Sequence, residues 1–98
     1  MTVYTLGVWK VRPGKEDEFV EAWHAFGQWT VESGFESHGT LLRDRADRSR
    51  FVSFGPWRSV EDAERWRSHP EFVRHLARIE STLESFEPGT FDIVLSVS

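Results

Sequence analysis

The chain contains no cysteine, which excludes disulfides and thiolate metal ligands and fits a reducing compartment. It has no apolar stretch approaching the roughly 20 residues a membrane-spanning helix needs. Its start, Met1-Thr2-Val3-Tyr4, lacks the basic segment and apolar run of a signal peptide. The expected location is therefore cytoplasmic, with no membrane partner. Positive charge is not in excess: 12 basic residues face 16 acidic ones, for a net charge of -4. The one dense basic stretch, Arg43 to Arg50, is interrupted by Asp44 and Asp47. Nucleic acid, which favours a strongly basic face, is not an expected partner. There are no internal repeats, low-complexity tracts or linkers. No glycine-rich phosphate loop and no Gly-x-Ser-x-Gly elbow is present, so nucleotide-binding and hydrolase readings have no support.

What is present is aromatic. Five Trp and eight Phe in 98 residues suit a small core, a ligand pocket or a subunit interface. The length fits one domain, residues 1–98, that buries only about 60–65% of its unfolded surface.

Hydrophobic patterning predicts strand, helix, strand, strand, short helix, helix, strand. Strand one runs Val3 to Arg12, with apolar residues in both alternating sets, and Pro13-Gly14 ends it. Helix one runs Lys15 to Ser33 with the stripe Phe19, Trp23, Phe26 and Thr30, acidic residues in its first turn and Gly34 as its stop. Strands two and three are expected over Glu36 to Asp44 and Arg50 to Trp57, joined by a polar loop. Ser59 to Asp62 resembles a capping box that opens a short helix carrying Ala63 and Trp66. Ser68-His69-Pro70-Glu71 forms a full box for the next helix, with the stripe Phe72, Leu76, Ile79 and Leu83. Pro88-Gly89 is expected to turn the chain into strand four, Thr90 to Val97.

The order βαββαβ is that of an α+β, ferredoxin-like unit with a four-stranded antiparallel sheet. Helices cover one face of such a sheet. Because strands one, three and four carry apolar residues on both faces, a second cover is required, and a second copy of the chain is the simplest one. The expectation is a homodimeric α+β barrel.

At these residues the sequence resembles the antibiotic biosynthesis monooxygenase domain of the dimeric α+β barrel superfamily. The most specific piece is Phe54-Gly55-Pro56-Trp57-Arg58-Ser59 through Ala63, Trp66 and His69-Pro70-Glu71-Phe72. Val11-Arg12-Pro13-Gly14 through Phe19, and Gly34 with Gly39, add to it. The resemblance implies the fold and the dimer, and more weakly an activity, since one fold hosts many functions. It includes oxygenases that use neither metal nor flavin on activated aromatic polyketides. It also includes a haem-degrading branch with an Asn on strand one, a Trp on the short helix and a His on the next helix. Here the Asn position falls on Gly7, Trp66 matches, and the His position falls on Leu76, one residue from His75.

Gly7 and Gly55 are small, and Thr5, Trp9, Ser53 and Trp57 share their faces by parity. Small residues among large ones leave room for a ligand, or admit a close helix or a bulge. The expected ligand-binding set is Gly7, Trp9, Trp23, Phe26, Ser53, Trp57 and Phe72. The expected catalytic pair is His75, whose wheel position borders the apolar stripe where an imidazole can act as a base, and Trp66. His24 is expected in solvent, His69 in a structural role at a helix start, and His38 facing either the barrel or solvent. The four His do not fall at metal-ligand spacing, so no metal and no cofactor is expected.

Three functions follow from this reading. One is a cofactor-independent oxygenation of a small aromatic, polyketide-type molecule. A second is a non-oxidative binding module or a cyclase or isomerase using the same pocket. The third is a dimer with no substrate, its pocket filled by Trp23, Phe26 and Trp66.

Overall fold

A computed structural model describes all 98 residues. Strand β1 (Val3–Val11), helix α1 (Glu16–Glu32), strands β2 (Thr40–Arg43) and β3 (Arg50–Trp57), helices α2 (Val60–Ser68) and α3 (Pro70–Glu80), and strand β4 (Leu83–Asp92) follow in that order. The four strands make one antiparallel sheet in the order β2-β3-β1-β4. This is the ferredoxin-like architecture expected, with α2 and α3 as separate short helices.

The two central strands sort their side chains by parity. Val3, Gly7, Trp9 and Val11 on β1, with Phe51, Ser53, Gly55 and Trp57 on β3, are buried on one face. That face receives α1 and α3, and Trp9, Val11, Phe19, Ala22, Phe26, Phe51, Ile79 and Leu83 form the main core. A second small core joins Val3, Trp57 and Ala63 beneath α2. The opposite face carries Leu6, Val8, Val52 and Phe54, and no helix covers it. Leu42 there is 50% exposed and Phe91 52%.

Local chemistry sets the element ends. Gly34 follows α1 with φ +85°, a left-handed conformation that costs glycine little. The Ser59 hydroxyl accepts the Asp62 N–H at 3.2 Å and caps α2. At α3 the cap is His69, not Ser68: its Nδ1 accepts the Glu71 N–H at 3.0 Å, with Pro70 in the first turn. Ser68 belongs to α2, where its hydroxyl bonds back to the Glu64 carbonyl.

Two strands differ from expectation. β2 is only four residues long, because residues 37–39 cross close over Gly55 instead of continuing the ladder. A Cβ on Gly55 would stand 2.4 Å from the His38 carbonyl oxygen. β4 begins at Leu83, and Pro88-Gly89 lies inside it, opposite Gly7 and Leu6, rather than forming a turn. β4 is an edge strand, where a missing N–H is tolerated. Leu83 thus joins the core from β4 rather than from a helix. Residues 93–98 run past the ladder, and Val94, Leu95 and Val97 are each more than three-quarters exposed. No helix is long and apolar enough to cross a membrane.

Candidate functional site

A cavity of about 240 Å³ lies between the helix-covered face of the sheet and the three helices. Gly7 and Trp9 from β1, and Ser53, Gly55 and Trp57 from β3, supply its floor. Trp23, Phe26 and Thr30 from α1, Trp66 from α2, Phe72 and Leu76 from α3, and Phe86 from β4 supply its walls. All seven expected ligand-binding residues therefore meet in one place, together with Trp66. Trp23, Phe26 and Trp66 line the cavity and do not fill it, contrary to the signature of a dimer without a substrate. An apolar cavity of about 150 Å³ holds a benzene ring, so this one has room for more.

The walls are held by aromatic packing. Trp9 stacks on Phe86 at 3.9 Å between centroids, and Phe26 stacks on Trp66 at 5.3 Å. Trp66 also meets the edge of Phe72 at 4.6 Å and lies 4.9 Å from Trp57.

Three of the four indole N–H groups at the cavity, those of Trp9, Trp57 and Trp66, are tied to a hydroxyl. Trp9 Nε1 donates to Ser53 Oγ at 2.8 Å, Trp57 Nε1 to Thr5 Oγ1 at 3.0 Å, and Trp66 Nε1 to Thr30 Oγ1 at 3.0 Å. A buried indole N–H needs such a partner, and the bond fixes the ring in one orientation. Thr30 in turn donates to the Phe26 carbonyl at 3.0 Å. Gly7 has a steric reason: a Cβ there would lie 3.0 Å from both Trp9 Nε1 and Phe86, so a side chain would press on the indole that crosses to Ser53.

The histidines divide. His75 is not among the residues lining the cavity. Its ring lies 5.6 Å from Trp29 and 6.0 Å from Phe26. Burial pushes its pKa below the ordinary 6.5. Glu71 opposes that shift, and Arg74 and Arg78 add to it. His38 is the one histidine among the lining residues; it is exposed, and its backbone carbonyl lies over Gly55. His69 caps α3 as expected, and His24 lies exposed in a shallow groove with Asp17, Glu21 and Arg43. No cluster of three or more His, Asp or Glu side chains could hold a metal ion.

Sequence reasoning left Thr5 and His38 out of the site. Thr5 had a signal, its parity with Gly7 and Trp9. His38 had none, because its place depends on residues 37–39 leaving the ladder.

The family model described as antibiotic biosynthesis monooxygenase matches residues 2–78. No curated protein matches the chain. Among solved structures, SnoaB, a cofactor-independent oxygenase from Streptomyces nogalater, is similar with a TM-score of 0.87 at 21% identity, over 98% of this chain and 96% of that one. Rv0793 from Mycobacterium tuberculosis is similar with a TM-score of 0.84 at 15% identity over the whole of both chains. A conserved protein from Methanosarcina mazei Go1 reaches 0.84 at 12% identity, over 93% and 91%. At these identities the likeness carries the fold alone.

Proposed function

The chain belongs to the antibiotic biosynthesis monooxygenase family, and we propose that it is a cofactor-independent monooxygenase acting on a small, oxygenated aromatic of polyketide type. The observation that carries this reading is the aromatic cavity with its three anchored indoles. Aromatic walls keep water from the faces of a flat ring and so limit reprotonation of a reactive carbanion by solvent. SnoaB, with the same fold, is described as a cofactor-independent oxygenase.

In this reading a ring CH₂ activated by a carbonyl across the same ring loses a proton to a base. The carbanion reduces dioxygen, the resulting peroxide anion takes the proton back from the base to become a hydroperoxide, and loss of water leaves a second ring carbonyl. Base catalysis of this kind contributes about 10²–10⁴-fold. We assign the base to His38, the one histidine among the residues lining the cavity, in place of His75. Trp66 acts as a wall that holds the ring, together with Phe26 and Phe72. Haem does not fit: Leu76, at the ligand position of the haem-degrading branch, lines the cavity, and His75 does not.

We also propose that two copies pair through the helix-free face, burying Leu42, Phe54 and Phe91. The exposed arm 93–98 extends the apolar surface available to a second copy.

The test is oxygen uptake with anthrone in buffer containing a metal chelator. Uptake equimolar with anthraquinone formed supports the reading. Anthrone that binds without uptake would identify a non-oxidative binding protein or isomerase instead.

A further inference from the structure

The two central strands carry the same five-residue pattern, a hydroxyl residue, any residue, glycine, any residue, tryptophan. On β1 it reads Thr5-Leu6-Gly7-Val8-Trp9, and on β3 it reads Ser53-Phe54-Gly55-Pro56-Trp57. The register pairs Leu6 with Phe54. A local two-fold axis through that pair, normal to the sheet, therefore carries Thr5 onto Ser53, Gly7 onto Gly55 and Trp9 onto Trp57. The hydrogen bonds obey the same symmetry: Trp9 donates across to Ser53, and Trp57 donates back to Thr5. All six residues line the cavity.

This arrangement leaves two donors unused. A hydroxyl has one O–H and two lone pairs. In both Ser53 and Thr5 a lone pair takes the indole N–H, and neither O–H has an acceptor in the protein. Thr30 makes the contrast, since it accepts from Trp66 and also donates to the Phe26 carbonyl. Ser53 is only 8% exposed, and a buried donor without an acceptor is costly. An accepted indole bond also polarises the hydroxyl toward donation. Thr5 and Ser53 are diagonal neighbours across the pair, with backbones roughly 7–8 Å apart, a spacing that suits two oxygens on one ring system.

We propose that Thr5 and Ser53 are the oxygen-reading pair of the cavity, each donating its O–H to one carbonyl oxygen of a flat quinone-type ring. The inference rests on the reading of the cavity as the ligand site, and it names the class of ligand. Oxygenation of an anthrone-type ring yields such a quinone. The same pair then holds the substrate's carbonyl and the oxygen being installed.

The experiment measures binding of 1,4-naphthoquinone and of naphthalene by quenching of tryptophan fluorescence. The wild-type chain is expected to bind naphthoquinone at least tenfold more tightly. Thr5→Val and Ser53→Ala are each expected to weaken naphthoquinone about tenfold with naphthalene changed less than threefold, while Thr5→Ser and Ser53→Thr keep the wild-type ratio. If Ser53→Ala fails to fold with the Trp9 N–H unpaired, the half-buried Thr5→Val carries the test. Variants that keep the wild-type ratio of the two affinities would overturn the pair while leaving the cavity as an aromatic site. Absence of binding by both probes to the wild-type chain would overturn both readings.

Discussion

The Trp66 indole N–H donates to the Thr30 hydroxyl at 3.0 Å, a bond that ties α2 to α1 across the roof of the cavity. Thr30 is itself anchored to the Phe26 carbonyl one turn earlier in α1. Together with the stacking of Trp66 on Phe26, this bond positions Trp66 over the ligand space.

Replacing Trp66 with Phe keeps an aromatic wall but leaves Thr30 without its donor. The expected cost is about 0.5–1.5 kcal/mol of stability, measured by urea unfolding. Thr30→Val leaves the Trp66 N–H unpaired near the core and is expected to cost more, about 1–3 kcal/mol. Equal stability of both variants and the wild type would show that the bond does not hold the roof.

The two histidines separate by function and by pH. His38→Ala is expected to lower oxygen uptake with anthrone by at least tenfold, and His75→Gln to leave it within twofold. His75 is expected instead in the stability profile. Its folded pKa is depressed by burial below 6.5, so the unfolded state binds the proton more readily. The stability it confers is complete above about pH 6.5 and is lost as pH falls from there through the lower folded value. Unfolding midpoints from pH 7.5 down to 5 are expected to fall less in His75→Gln than in the wild type. The opposite assignment of activity, with His75→Gln inactive, would return the base to α3.

The helix-free face leaves Leu42 half exposed and Phe54 more than a third exposed. Sedimentation at micromolar concentration is expected to give a dimer, and Leu42→Lys is expected to shift it toward monomer. A charge buried in an apolar interface without a partner is strongly unfavourable. A wild-type chain that sediments as a monomer would remove the pairing.

Much of this fold is legible in the sequence, for identifiable reasons. β1 and β3 are apolar in alternation, and the stripe from Phe19 to Thr30 with Gly34 after it bounds α1. The failures are equally specific. Pro88-Gly89 carries the chemistry of a turn, and only its place on an edge strand beside β1 makes it tolerable within β4. Parity alone gathered Gly7, Trp9, Ser53 and Trp57. The reciprocal bonds from Trp9 to Ser53 and from Trp57 to Thr5 needed the register of β1 against β3, which depends on long-range pairing. His75 lies at the border of an apolar stripe, and a helical wheel does not tell which border faces a cavity and which packs beside α1.

We place the ligand in the cavity between sheet and helices, and Gly27 gives direct access to it. Gly27 lines the cavity from within α1, and a Cβ there would meet only Trp23, at an ordinary 3.8 Å. Gly27→Leu therefore places a side chain into the open space, and it removes a helix-interior glycine that costs about 0.5–1 kcal/mol relative to alanine. The decisive measurement is anthrone affinity, by tryptophan quenching, of Gly27→Leu against the wild type. The expected result is a variant at least as stable to heat as the wild type that binds anthrone at least tenfold more weakly. A stably folded Gly27→Leu that binds anthrone as tightly as the wild type would place the ligand elsewhere and contradict the account.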